Sequence, residues 1–148
     1  MSADSNQGKV ILCSECLLGV PCRFDGRDKQ SAAVLRFLEG REVVPICPEA
    51  ASGMGIPRPA VHIEGEGADR RWVDAAGRDR TLEFQRGAMI ALEAARTFGA
   101  TMALLKEGSP SCGCQRIFGS NGAQAGRGAT AQALSEAGVQ VISDEEVS

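Results

Sequence analysis

The chain contains no tyrosine, one tryptophan and one histidine, and aromatic residues make up only 4% of its 148 positions. A core with so few large rings has to be built from Leu, Val, Ile and Ala. The single histidine restricts nucleophilic chemistry: any Cys–His pair would have to use His62, whose setting "AVHIEG" reads as a strand face. No run of eighteen or more apolar residues occurs, so no membrane span is expected. The opening "MSADSNQGK" lacks the basic start and apolar stretch of a signal peptide, which makes the cytoplasm the default compartment. Charge of neither sign dominates. Sixteen Lys and Arg are interspersed with nineteen Asp and Glu for a net charge of −3. That balance disfavours nucleic acid as a partner, whose binding needs clustered cations, while leaving room for a local anion pocket.

What is present is a soluble composition, 43% hydrophobic and 24% charged, with six cysteines. In a compartment that keeps thiols reduced, such a set points to metal or catalysis more than to a disulfide framework. The bland alternative for any one of them is a small hydrophobe filling the core.

The patterning predicts one α/β domain over residues 1–148, a mostly parallel sheet flanked by helices in a Rossmann-like arrangement, with residues 1–8 flexible. Strands are expected at 9–14, 42–46, 101–105 and 139–142, with Pro45 marking an edge or strand end. Helices are expected over "SAAVLRFLEG", with Ser31 as N-cap and Gly40 as stop, over "TLEFQRGAMIALEAARTFGA", and from about Thr130. In the long helix, Phe84, Ala88, Ala91, Leu92, Ala95 and Phe98 recur at helical spacing and are assigned to the core. "CPEAASGMGIPRPAV" reads as loop, and "RWVDAAGRDR" as a small hairpin turning at Gly77.

On this scheme Cys16 lies two residues past the first strand, Cys47 directly follows the second, and Cys112 follows "TMALL" by seven residues. Ligand sites of open parallel sheets form outside the carboxyl ends of the strands, so three loops can deliver three thiols to one rim. Such a set suits a [4Fe–4S] cluster with three protein ligands and one open iron, a Lewis acid with an affinity for sulfur. Glu49, two residues after Cys47, would lie close enough to act as general acid or base; its bland reading is an exposed carboxylate or the partner of Arg58. Ser109 and Ser111 either hydrogen-bond a substrate or cap a turn. Cys13 and Cys16 form a CxxC pair, open to a zinc or a thiol-redox reading. The glycines of "FGSNGAQAGRGAT" match no phosphate-loop pattern; Gly126 and Gly128 are expected to shape the approach to the last helix.

The segments "CLLGVPCRFDG", "CPE" with "GIPRP", "GRDRTLEFQRGA", "LLKEGSPSCG" and "GRGATAQALSEAGVQVISDEE" together resemble the thiouracil desulfurase family, in order and over nearly the whole chain. The resemblance implies a [4Fe–4S] enzyme that converts a thiolated pyrimidine to uracil and hydrosulfide without net electron transfer. By motif, Cys16, Cys47 and Cys112 correspond to the cluster ligands, and Glu49 and Ser109 to the substrate-handling pair. Cys22 matches a family cysteine that is not a ligand. Phe24 stands where the family usually has Tyr, and His62 where an acidic residue is usual. The alternatives are a zinc-stabilised structural or binding module, a redox protein using Cys13 and Cys16, and a cluster enzyme acting on thiolated nucleosides or tRNA.

Overall fold

The computed structural model describes residues 10–119 and 121–147; residues 1–8, expected to be flexible, lie outside the described residues. Four strands, β1 (Val10–Ser14), β2 (Glu42–Ile46), β5 (Ala100–Leu105) and β8 (Gln140–Ser143), form a wholly parallel sheet in the order β2-β1-β5-β8. Ser14 is level with Ile46, Cys13 with Leu104, and Leu105 with Ser143, so the carboxyl ends of all four strands form one rim. Pro45 is accommodated because β2 is an edge strand, where a missing N–H leaves no gap in the ladder.

Side chains alternate across this sheet. Leu12, Ala103 and Leu105 face one layer, where helix α3 (Thr81–Phe98) and helix α4 (Ala129–Glu136) contribute Ala91, Leu92, Ala95, Ala131 and Leu134. Ile11, Cys13, Met102 and Leu104 face the other, under helix α1 (Ala32–Leu38) with Val34 and Leu38. Helix α1 begins where the sequence places its cap: Ser31 Oγ accepts the Val34 N–H at 3.2 Å. Phe98 departs from expectation. It is the last helical residue before the left-handed stop at Gly99, and its ring is 58% exposed rather than in the core.

The connections hold more structure than the sequence reading assigns to them. Strands β3 (Val61–Glu64), β4 (Arg71–Asp74), β6 (Arg116–Gly119) and β7 (Gly122–Ala125) form a second, mixed sheet in the order β4-β3-β6-β7. The chain does turn at Gly77, with an isolated bridge between Val73 and Asp79, but the main partner of β4 is β3. This sheet packs Val61, Ile63, Trp72 and Ile117 against Phe84 of α3, with the Trp72 and Phe84 rings stacked 6.0 Å apart. The Trp72 indole N–H donates to the Pro110 carbonyl at 2.8 Å and so ties the small sheet to the loop that carries Cys112.

A second departure concerns the segment after Cys47, expected to be loop. It opens with a single helical turn, α2 (Pro48–Ala51). Cys47 is extended and caps it, Pro48 occupies the first turn, where a missing N–H costs nothing, and Ala50 and Ala51 favour helix before Ser52 and Gly53 end it.

Candidate active site

The rim of the parallel sheet opens into a cavity of about 580 Å³. Cys16 reaches it from a 3-10 turn (Glu15–Leu18) directly after β1, Cys47 from the end of β2, and Cys112 from the loop between β5 and β6. Glu49 and Ser109 line the same cavity, so all five residues singled out in the sequence are brought together. Cys22 joins them. Cys13 and Cys114 do not: Cys13 is fully buried in the layer beneath α1, and Cys114 packs with α3 and α4. Both members of the CxxC pair belong to one buried cluster, but only Cys16 also lines the cavity. His62 lines the cavity wall, with its Nε2 2.7 Å from Glu64 Oε2.

Each group has a local anchor. Helix α2 lies so close to α3 that a Cβ on Gly87 would stand 2.5 Å from the Pro48 carbonyl oxygen; glycine permits that approach and sets the height of Glu49. The Glu49 carboxylate receives Arg58 Nε on Oε1 at 3.2 Å and the Ser109 hydroxyl on Oε2 at 3.4 Å. Ser109 Oγ accepts the backbone N–H groups of Ser111 and Cys112, each at 3.0 Å. Its lone pairs are thus engaged in the turn, and toward the cavity it acts as a donor. Both readings of Ser109, turn cap and substrate anchor, apply together. Ser111 is a packing residue, its hydroxyl meeting that of Thr130 at 2.8 Å.

The loop bearing Cys112 is pinned by Glu107, which sequence reasoning missed. This buried side chain accepts, on one oxygen, the N–H groups of Cys114, Gln115 and Arg116 at 2.8, 3.0 and 3.1 Å, and that of Gly108 at 3.2 Å. Burial works to raise its pKa, but these backbone donors, with Ser143, hold it below the usual carboxylate value. Carbonyls of the same loop cap α4: Pro110 accepts from Ala129, and Ser111 from Thr130 and Ala131. Gly128 allows this contact, since a Cβ there would collide with the Ser111 backbone.

Three of the cavity thiols, those of Cys22, Cys47 and Cys112, strongly favour their protonated form. Burial drives Cys112 well above the ordinary thiol range, with Ser14 opposing and Glu49 adding to the rise. Cys47 is driven up first by the Cys22 thiol and then by burial. Cys22 is raised to about 11, first by the Cys16 thiol, against the Cys47 thiol, with burial adding. Thiols in this state become thiolates when a cation displaces their protons. Among the described residues, no three His, Cys, Asp or Glu side chains are gathered around one point as a single metal ion requires. Four thiols, those of Cys16, Cys22, Cys47 and Cys112, instead line one shared volume, a donor chemistry that suits a multi-iron cluster held by cysteine thiolates.

A family model described as 2-thiouracil desulfurase matches residues 11–146. The chain belongs to that family. Its fold matches the solved structure of a [4Fe–4S]-dependent thiouracil desulfidase, TudS, with a TM-score of 0.84 and 41% identity, over 94% of this chain and 93% of the other. It is also 37% identical to the Bacillus subtilis (strain 168) protein YbbK, described as uncharacterized, over 93% of this chain and 97% of that protein. The segments from which the desulfurase resemblance was drawn include those that build the cavity: "CLLGVPCRFDG" supplies Cys16, Cys22 and Phe24, "CPE" supplies Cys47 and Glu49, and "LLKEGSPSCG" supplies Ser109 and Cys112.

Proposed function

We propose that the protein hydrolyses the C–S bond of a thiolated uracil, releasing uracil and hydrosulfide, with a [4Fe–4S] cluster held by Cys16, Cys47 and Cys112. The observation that carries this reading is the convergence of those thiols with Glu49 and Ser109 on one cavity, whose volume falls in the range of small-molecule sites, about 300–1,000 Å³. When bound, the cluster supplies an iron without a protein ligand, a Lewis acid with an affinity for the thiocarbonyl sulfur.

The remaining work falls to side chains. The rings of Phe24 and Phe118 and the aliphatic surfaces of Val61 and Pro110 line the cavity and offer apolar walls to a flat pyrimidine. Ser109, whose lone pairs are taken by the turn, turns its hydroxyl hydrogen from Glu49 Oε2 to a ring acceptor of the substrate, which fixes the orientation of the base and frees Oε2. Glu49 takes one proton from the attacking water at Oε2 and passes it to the departing sulfur, and the proton left on the new oxygen is released to solvent. The water oxygen becomes the new carbonyl oxygen, and sulfur leaves with the electron pair of the broken bond. No electron donor or acceptor is consumed.

A small thiolated base, rather than tRNA, suits a chain of net charge −3, whose overall charge balance does not favour binding a phosphate backbone. Three cluster thiolates also suit the reducing cytoplasm. Among the described residues, no helix is long and apolar enough to cross a membrane.

The test is anaerobic reconstitution with iron and sulfide, followed by assay of sulfide and uracil released from 2-thiouracil and from 4-thiouracil. Brown protein that releases the two products in equal amounts without added reductant supports the proposal and identifies the sulfur position. A colourless, zinc-loaded and inactive protein overturns it.

A further inference from the structure

Arg58 is 8% exposed, yet it is engaged in three directions. Nε donates to Glu49 Oε1 at 3.2 Å, Nη1 to the Gly55 carbonyl at 2.9 Å and Nη2 to the Cys22 carbonyl at 3.0 Å. The Arg58 backbone N–H reaches the Phe24 carbonyl at 2.8 Å, and the Cys47 thiol donates to the same Cys22 carbonyl at 3.6 Å. One guanidinium thus joins the helix that carries Glu49, its own loop, and the loop that carries Cys22 and Phe24.

We infer that Arg58 is the positioning residue for Glu49: it occupies one carboxylate oxygen and turns the other toward Ser109 and the cavity. The inference rests on the reading that Glu49 moves protons in the reaction. A carboxylate on a single helical turn has free rotation about its side-chain bonds, and the Arg58–Oε1 bond removes it. The planar fork serves three acceptors in fixed directions. A lysine would keep the charge beside Glu49 but not the two carbonyl bonds, so the exchange is not conservative here. Lys106, another cation of the cavity wall, is engaged elsewhere. Lys106 Nζ is turned to the Glu107 carbonyl and Asp144, at 3.1 and 3.8 Å.

The experiment compares Arg58→Ala, Arg58→Lys and Glu49→Gln in cluster-loaded protein, measuring kcat, KM and iron per chain. Arg58→Ala is expected to lose about 100-fold in kcat, the order of effect of a misplaced catalytic group, with KM and iron content near those of the native protein. Millimolar guanidinium is expected to restore part of that kcat, and methylammonium none. Arg58→Lys, which retains a cation and folds if Arg58→Ala does not, is expected to stay slow. Native kcat in Arg58→Lys, or a loss in Arg58→Ala that follows iron loss and ignores guanidinium, overturns the inference. Glu49→Gln separates the two levels. Native turnover there removes the reading on which the inference rests, whereas a slow Glu49→Gln beside a fast Arg58→Lys removes the inference alone.

Discussion

Two cysteines three residues apart show how position decides chemistry in this protein. Cys13 sits inside β1, pointing into the layer under α1, where burial raises its pKa to about 12 and it packs as a small hydrophobe. Cys16 lies just beyond the strand end and lines the cavity with Cys22, Cys47 and Cys112. The same contrast separates two acids of the rim. Glu107 spends one oxygen on four backbone N–H groups and holds a loop, whereas Glu49 meets only side chains, Arg58 and Ser109, and faces the cavity. In a parallel sheet, the last residue of a strand divides core from chemistry, and residue type alone does not.

The sharpest way to break this contrast is to neutralise the two acids separately. Glu49→Gln is expected to keep its iron and lose between about 10² and 10⁴ in kcat, the usual share of a general acid–base group. Glu107→Gln is expected to keep measurable turnover but lower stability by about 1–3 kcal/mol, the cost of weakening charge-assisted bonds in a buried site. Steady-state kinetics and denaturant unfolding distinguish them, and a reversed pattern would contradict the roles assigned.

A smaller effect tests how the two helices set the height of Glu49. Gly87→Ala places a methyl group against the Pro48 carbonyl and should cost about 1–3 kcal/mol by overpacking, with a fall in kcat as α2 shifts. Unchanged stability and turnover would mean that α2 is not held by α3.

The pH dependence of stability extends the acid comparison. The folded pKa of Glu107 lies below its ordinary value of 4.5, so its contribution is present above that pH and lost as pH falls through the lower folded value. The melting temperature of the native chain should therefore drop more steeply below pH 4.5 than that of Glu107→Gln. Parallel curves would remove Glu107 from the acid response.

Much of this organisation was legible in the sequence because it follows from period and punctuation. The apolar runs at β1, β2, β5 and β8 and the helical spacing of Phe84 to Ala95 place the cysteine loops at one rim. What escaped had physical reasons. Strand β6, "RIFG", has strand-favouring Ile117 and Phe118 but only four residues, and β7, "GAQA", is glycine and alanine with little strand preference; the two pair with each other and β6 joins β3. Helix α2 is a single turn hidden among prolines and glycines that signal loop. The role of Glu107 depends on a turn that brings N–H groups from as far as nine residues ahead back to its carboxylate, which no residue pattern announces. Phe98 fits the apolar period but falls on the last residue of its helix, where the stop at Gly99 leaves nothing to cover it.

The most direct test of the account is the iron content of six single Cys→Ala variants after identical anaerobic reconstitution. Variants at Cys13, Cys22 and Cys114 should hold about four irons per chain, as the native protein should. Those at Cys16, Cys47 and Cys112 should lose the cluster. Normal iron in any of the last three, or its loss on removing Cys13 or Cys114, would contradict the division between core and rim on which the proposed function stands.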